Sequence, residues 1–249
     1  MERVDRVNTN KRVRDLIRYG SSEECVRSIV RCQTGFTVCC DWVAKSLERN
    51  DRNLAFFNIL GQTVPFLRFA AWGIDKPIQV LAFSARSVFE LNLRGRHMLR
   101  SDENLRQWMS EGVIDSIQVL EGVLELRESA SAGDVALLEA EIERLRSLAG
   151  RHELAHRGKL LQVGELARSV GLESDYKAFF KLYSKLVHPS SYLVNGAATA
   201  WDRVLRQVLV VNLQLYAYDL LERVRTGLGV PDVVVYSPVD GPSERLTSE

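Results

Sequence analysis

At 249 residues the chain can build one large hydrophobic core or two modest ones, and 46% hydrophobic with 26% charged residues is the make-up of a globular protein. Its 33 basic and 32 acidic side chains leave a net charge of +1, which excludes a global basic field, so nucleic-acid binding needs a local patch. The opening "MERVDRVNTNKRVRD" lacks the apolar stretch of a signal peptide, and the apolar runs at 56–74 and 208–221 are interrupted by Asn58, Gln62, Arg68, Asn212, Gln214 and Asp219. Neither run offers ~20 clean residues, which predicts no transmembrane segment and a cytoplasmic protein.

A hydrophobic period near 3.6 recurs almost everywhere and alternation almost nowhere, which predicts an all-α multi-helix bundle. Residues 9–18 read as a short basic helix stopped at Gly20, and a long helix follows over 22–48 with Cys25, Ile29, Cys32, Phe36, Cys39, Val43 and Leu47 in its apolar stripe. The Phe-rich segment 54–72 reads as two short helices pinched at Gly61 and Pro65. Asp75 is the expected N-cap of a helix lasting to about Leu99, and Ser101 opens another to about Glu128. "SASAG" is the clearest break, followed by a charged helix from Gly133 to about Gly150 and a loop at "RHELAHRGK". Short helices at "VGELARSVG" and "YKAFFKLYSKLVHP" precede a long one over 197–225, stopped by Gly227, Gly229 and Pro231. The tail from 231 lacks helical periodicity and reads as a short extended piece followed by disorder. These breaks suggest three regions: 1–75 packing on the bundle, 76–230 as the bundle, and 231–249 as the tail.

Cys25, Cys32 and Cys39 recur every seven residues along one helix stripe, with Cys40 beside them. Points two turns apart cannot converge on one ion, so the four read as reduced, buried small hydrophobes. "HELAH" has the form of H-E-x-x-H but lacks a third ligand and a firm helix, and no metal or other cofactor is expected.

Arg86, Glu90 and Arg94 are spaced four apart with His97 three further on, so all four share one face of the helix over 76–99. This face is a solvated rim or a buried polar seam with an Arg86–Glu90 ion pair, and a buried seam needs partners from another helix. The segment 176–188 offers them: Ser184 and His188 share one face, with Tyr176, Phe180 and Tyr183 on an adjoining one. Pro189 disfavours helical backbone at His188, placing the imidazole at the last turn, where the negative end of the helix dipole favours its proton. The blander reading is a histidine that satisfies orphan carbonyls and a serine bonded back to the Phe180 carbonyl.

"ARSVFELNLRG" followed by "DYKAFFKLYSKLVHPSS" resembles a group of uncharacterised bacterial helical proteins placed near the HEPN (higher eukaryotes and prokaryotes nucleotide-binding) superfamily. The resemblance covers about residues 76–225. It implies a HEPN-like bundle in the central and C-terminal part, often a homodimer, with a polar cleft. It also implies metal-independent endoribonuclease activity of the kind found in toxin–antitoxin and phage-defence systems. The signature of such enzymes is Arg-x4-6-His, with the histidine handling a proton and the arginine a phosphate. His188 has Lys181, Leu182 and Tyr183 at those offsets rather than Arg, whereas Arg151 and His156 have the spacing, as do Arg146 and His152.

The expected function is RNA or nucleotide binding or cleavage, in stress response or defence. Arg86, Glu90 and His188 form the candidate reactive cluster, with Ser184, Tyr183, Arg94 and His97 as binding residues. Arg151 and His156 form a separate ribonuclease-like pair. The alternative is a non-catalytic module that binds a protein partner and whose polar cluster only locks the bundle. A third reading uses the aromatic segment 56–72 as a docking or membrane-surface patch.

Overall fold

The computed structural model of the chain describes residues 11–126, 131–152, 161–195 and 201–236. Every regular element among them is helical and none is a strand. The chain divides into two compact units, one of Met1–Arg96 with Ala167–Glu249, the other of His97–Leu166. The division differs from the three regions expected. The N-terminal helices share a unit with the C-terminal ones, and the inserted segment stands as a unit of its own.

In the first unit α1 (Lys11–Leu16) leads to α2 (Ser22–Ser46), which begins at a reciprocal cap. The Ser21 hydroxyl accepts from the Glu24 amide, and the Glu24 carboxylate accepts from the Ser21 amide at 2.9 Å. Of the expected stripe Cys25, Ile29, Cys32, Phe36, Cys39 and Val43 are buried, while Leu47, the C-cap residue, is half-buried; the four cysteines are free thiols.

α3 (Asp51–Gly73) is one continuous helix with Pro65 inside it, not two short ones. Proline costs a helix interior ~3 kcal/mol, partly through its clash with the carbonyl four residues earlier. Here that residue is Gly61, and Pro65 itself faces solvent. Burial of Leu67 and Ala70 beyond the proline outweighs the interruption, since a buried Leu alone contributes ~1.5–3 kcal/mol. As one helix α3 is long and apolar enough, by length and composition alone, to cross a membrane. One side of it is nonetheless packed on α2.

α4 (Ile78–Met98) carries the sequence's polar face. Gly95 on α4 abuts the Leu220 side chain of α11 (Trp201–Gly227) so closely that no Cβ fits without a shift. α7 (Val163–Ser169) and α8 (Glu173–Asp175) run into a π-helical turn, Tyr176–Phe180, then α9 (Lys181–Val187) and α10 (Ser191–Asn195). α11 ends where Gly229 takes a left-handed φ of 68°, and the Val230 amide bonds back to the Arg225 carbonyl at 2.9 Å.

α12 (Asp232–Tyr236) is a helical turn where an extended piece was expected. Pro231 starts it, its fixed φ suiting a first turn, and the Val234 amide bonds to the Pro231 carbonyl at 3.0 Å. Asp232 binds Arg12 and Arg225, both at 2.6 Å, and the Tyr236 hydroxyl donates to Glu222 at 3.0 Å. Residues 237–249 lie outside the described residues. Gln214 on α11 holds α1 from the other side. Its oxygen accepts from the Arg18 amide (3.0 Å) and the Ser28 hydroxyl (2.6 Å), and its nitrogen donates to the Arg18 carbonyl at 2.7 Å.

In the second unit α5 (Asp102–Leu124) and α6 (Ala132–Arg151) are capped by Ser101 and Ser131 and joined by an Arg146–Glu121 ion pair at 2.7 Å. Its buried apolar residues include Met98, Leu105, Ile142, Leu145 and Leu166.

Candidate functional site

Arg86 on α4 donates through Nε to Glu90 Oε1 at 2.8 Å, the pair the four-residue spacing predicts. Its Nη1 lies 3.2 Å from Nε2 of His188. The guanidinium also stands over the Phe180 ring, 4.7 Å from its centroid, and Phe180 stacks on Tyr176 at 4.6 Å with an interplanar angle of 31°. Three elements therefore meet at one guanidinium: α4, the π-helical turn and the end of α9.

Local backbone chemistry places each partner. At His188 the chain leaves the helix with ψ 150°, as a residue before proline must, while its amide still bonds to the Ser184 carbonyl at 3.3 Å. The imidazole thus projects from the helix end. The π turn packs more residues per turn, bringing Tyr176 and Phe180, four apart, onto one half-buried shelf. Tyr183 rotates away from that shelf into the core.

The cluster is not secluded from water as a buried seam would be. The side chains of Arg86 and Glu90 are 25% and 34% exposed, and His188 is exposed. The edge is wet, and its outer surface is basic: Lys177, Lys181 and Lys185, spaced four apart, are all exposed. Since arginine can only donate, a hydrogen bond in this contact needs Nε2 of His188 as its acceptor.

The other expected site residues are dispersed. Tyr183 is fully buried, its ring 6.2 Å from Phe89, so it is a core residue and not part of an accessible face. Burial pushes its phenol pKa up while the Asn212 side chain opposes the shift. The two polar groups face each other inside the protein without completing a hydrogen bond of good geometry. Ser184 and Arg94 are half-buried, the latter two turns along α4 from Arg86. His97 belongs to the second unit, where its carbonyl accepts from the Asn104 amide group at 2.9 Å. Arg151 is the exposed last residue of α6, and His152 caps that helix; His156 lies outside the described residues. Among the described residues no group of three or more His, Cys, Asp or Glu converges as a metal site.

A second polar cluster, buried and missed by sequence reasoning, lies between α4 and α11. Asp219 accepts from Arg96 at 2.9 Å, from Asn92 at 2.8 Å and from Arg223 at 3.0 Å. The Arg96 and Asp219 side chains are 5% and 4% exposed. Burial disfavours the charged form of Arg96 and lowers its pKa, and the Asp219 carboxylate opposes that. Tyr216 donates to Asp175 at 2.8 Å and packs edge-on against Phe89 at 4.7 Å. The available signal was Asp219 itself, a lone carboxylate in the apolar run 208–221, which implies a buried cationic partner.

The fold and edge define an all-helical protein with an arginine–histidine pair beside an aromatic shelf. Residues 82–196 match the model of a family described as a family of unknown function (DUF5677). That segment contains Arg86, Glu90, Phe180, Ser184 and His188, so both sides of the edge fall within it, while Asp219 falls outside. The match supplies no activity and no link to the HEPN superfamily. No curated protein and no solved structure matches the chain.

Proposed function

We propose that the protein binds single-stranded RNA at the edge formed by Arg86, His188 and Phe180 and cleaves it without a metal ion, as the HEPN-like resemblance implies. The observation that carries this reading is the 3.2 Å approach of a guanidinium and an imidazole beside a half-buried aromatic shelf. Phe180 and Tyr176 offer stacking surface, worth ~1–3 kcal/mol per base. Lys181 and Lys185, beside a Lys177 that pairs with Glu173 at 3.1 Å, supply the local basic patch that a net charge of +1 otherwise denies. Arg86 keeps Nη2 free of any hydrogen bond to the described residues, leaving a donor for a phosphate oxygen.

The chemistry follows from the pair. A phosphate that draws Arg86 away from His188 releases the Nε2 lone pair. The imidazole then takes the 2′-hydroxyl proton, the 2′-oxygen forms its bond to phosphorus, and the 5′-oxygen leaves and takes a proton from water. The product is a 2′,3′-cyclic phosphate. Arg86 holds the charge on the phosphoryl oxygens throughout.

A second reading, a non-catalytic module whose cluster pins α9 to α4, is favoured by Glu90, which neutralises the same guanidinium. Incubation of labelled RNA with the full chain in a chelator separates the two. Cleavage to cyclic-phosphate ends, lowered roughly 100-fold or more by His188→Ala, supports the enzyme. Intact RNA supports the module. Cleavage lost in His156→Ala but retained in His188→Ala moves the reaction to the Arg151–His156 pair.

A further inference from the structure

α3 is apolar on two sides, and the core uses only one. Phe56, Ile59, Leu60, Leu67 and Ala70 are buried, whereas Phe69 and Trp72 on the outer side are 54% and 59% exposed. Phe66 continues the outer strip onto α4, where its ring meets Phe83 edge-on at 5.8 Å, and Phe83 is itself 47% exposed. Phe69 and Trp72 stand edge-to-face at 6.3 Å. Four neighbouring rings thus line the corner where α3 turns into α4, and an apolar patch of this kind marks an interaction surface.

The charges around the rings are predominantly basic. Lys76 Nζ lies over Trp72, 5.6 Å from the ring centroid, and Arg68 is exposed beside Phe69. Arg206 donates to the carbonyls of Ile74 (3.0 Å) and Lys76 (2.7 Å), which brings the first turn of α11 and its exposed Arg203 to the same corner. Of the acids there, Asp202 pairs with Arg206 at 2.7 Å, while Asp75 accepts from the Ser22 hydroxyl at 2.8 Å and keeps its charge, so the corner stays net basic. Arg68, Lys76 and Arg203 have no ion-pair partner among the described residues.

We infer that this corner docks on an anionic lipid surface, with Phe69 and Trp72 entering the boundary between headgroups and acyl chains and Arg68, Lys76 and Arg203 meeting lipid phosphates. Aromatic rings at headgroup level with flanking Lys and Arg are the composition that suits this interface. A second copy of the chain is the poorer occupant. Two-fold pairing of the corner sets its cations against the same cations, a like-charge arrangement that opposes association. α3 then lies against the bilayer by its outer face while its inner face stays on α2, so the helix does not cross.

Co-sedimentation of the full chain with vesicles tests this. The chain sediments with vesicles containing phosphatidylserine, not with phosphatidylcholine alone, and added salt releases it. Phe69→Ser with Trp72→Ser abolishes sedimentation at an unchanged melting temperature. Arg68→Gln with Lys76→Gln, which keeps the rings, lowers partitioning roughly thirtyfold, from ~1 kcal/mol per basic side chain at an anionic surface. Absence of sedimentation with anionic vesicles overturns the inference, as does equal binding to both vesicle types or wild-type binding by the glutamine variant. A wild-type dimer that the serine variant dissociates overturns it too, and assigns the strip to a second copy.

Discussion

Arg86 and His188, 102 residues apart in the chain, meet at 3.2 Å because proline ends one helix where the other presents a guanidinium. The contact joins α4 to the end of α9 at an exposed edge, and Phe180 closes the third side.

The aromatic shelf is separable from the charges. Phe180→Ala removes a stacking surface while leaving the Arg86–Glu90 pair in place, so RNA affinity falls roughly tenfold, within the ~1–3 kcal/mol range for one stacked base. Fluorescence anisotropy with a labelled single strand measures it. An unchanged Kd removes base stacking from the account.

The buried cluster makes the opposite kind of prediction, on stability alone. Asp219→Ala removes the carboxylate hydrogen-bonded to Arg96 at 5% exposure, and breaking such a pair costs ~3–5 kcal/mol. Arg223→Ala removes a partner that is 30% exposed and costs about 1 kcal/mol or less. Denaturant titration of both variants checks the order. Equal losses show that Arg223, not Arg96, is the principal counter-ion.

Tyr183→Phe leaves stability unchanged or raises it slightly. The hydroxyl is desolvated without a well-formed hydrogen bond, so deleting it removes a cost rather than a contact. A loss above ~1 kcal/mol shows instead that the Asn212 side chain completes a bond to it.

The thiols predict an alkaline limit to stability. Burial raises Cys39 from its ordinary 9.0 to about 12 and Cys40 to about 11. In the unfolded chain these thiols ionise first, so between those values the folded state binds more protons, and stability falls as pH rises. The stabilisation is complete below 9.0 and is lost progressively towards about 11 and about 12. Thermal melts across that window check the sign. At neutral pH the native thiols resist alkylation and react on unfolding, and rapid labelling of folded protein contradicts their burial.

Much of the helical architecture was legible, because most long helices carry their own apolar stripe and Ser101 marks a start within its own turn; Asp75 misled, since α4 starts at Ile78 and Asp75 accepts from Ser22 instead. The Arg86–Glu90 pair was legible too, its spacing lying within one helix. Pro65 misled because a local rule met tertiary burial, and Leu67 and Ala70 carry the helix through. The π turn at 176–180 was invisible, since no residue type distinguishes it from an α-turn, and it sent Tyr183 inward while Phe180 stayed half-buried. The Arg96–Asp219 pair spans 123 residues, and nothing in either helix's period selects the other as its partner. The clustering at His188 was anticipated from Pro189, but its seclusion was not found, because the end of α9 lies at the surface.

The account rests on the Arg86–His188 edge being a working surface rather than a fastening, and paired measurements on Arg86→Ala and His188→Ala decide this most directly. RNA affinity and melting temperature are recorded for each variant. The account predicts an RNA Kd raised roughly tenfold or more in Arg86→Ala, with melting temperatures near wild type, since half-exposed pairs contribute ~1 kcal/mol or less to stability. Wild-type RNA affinity in both variants, with a lowered melting temperature, contradicts it.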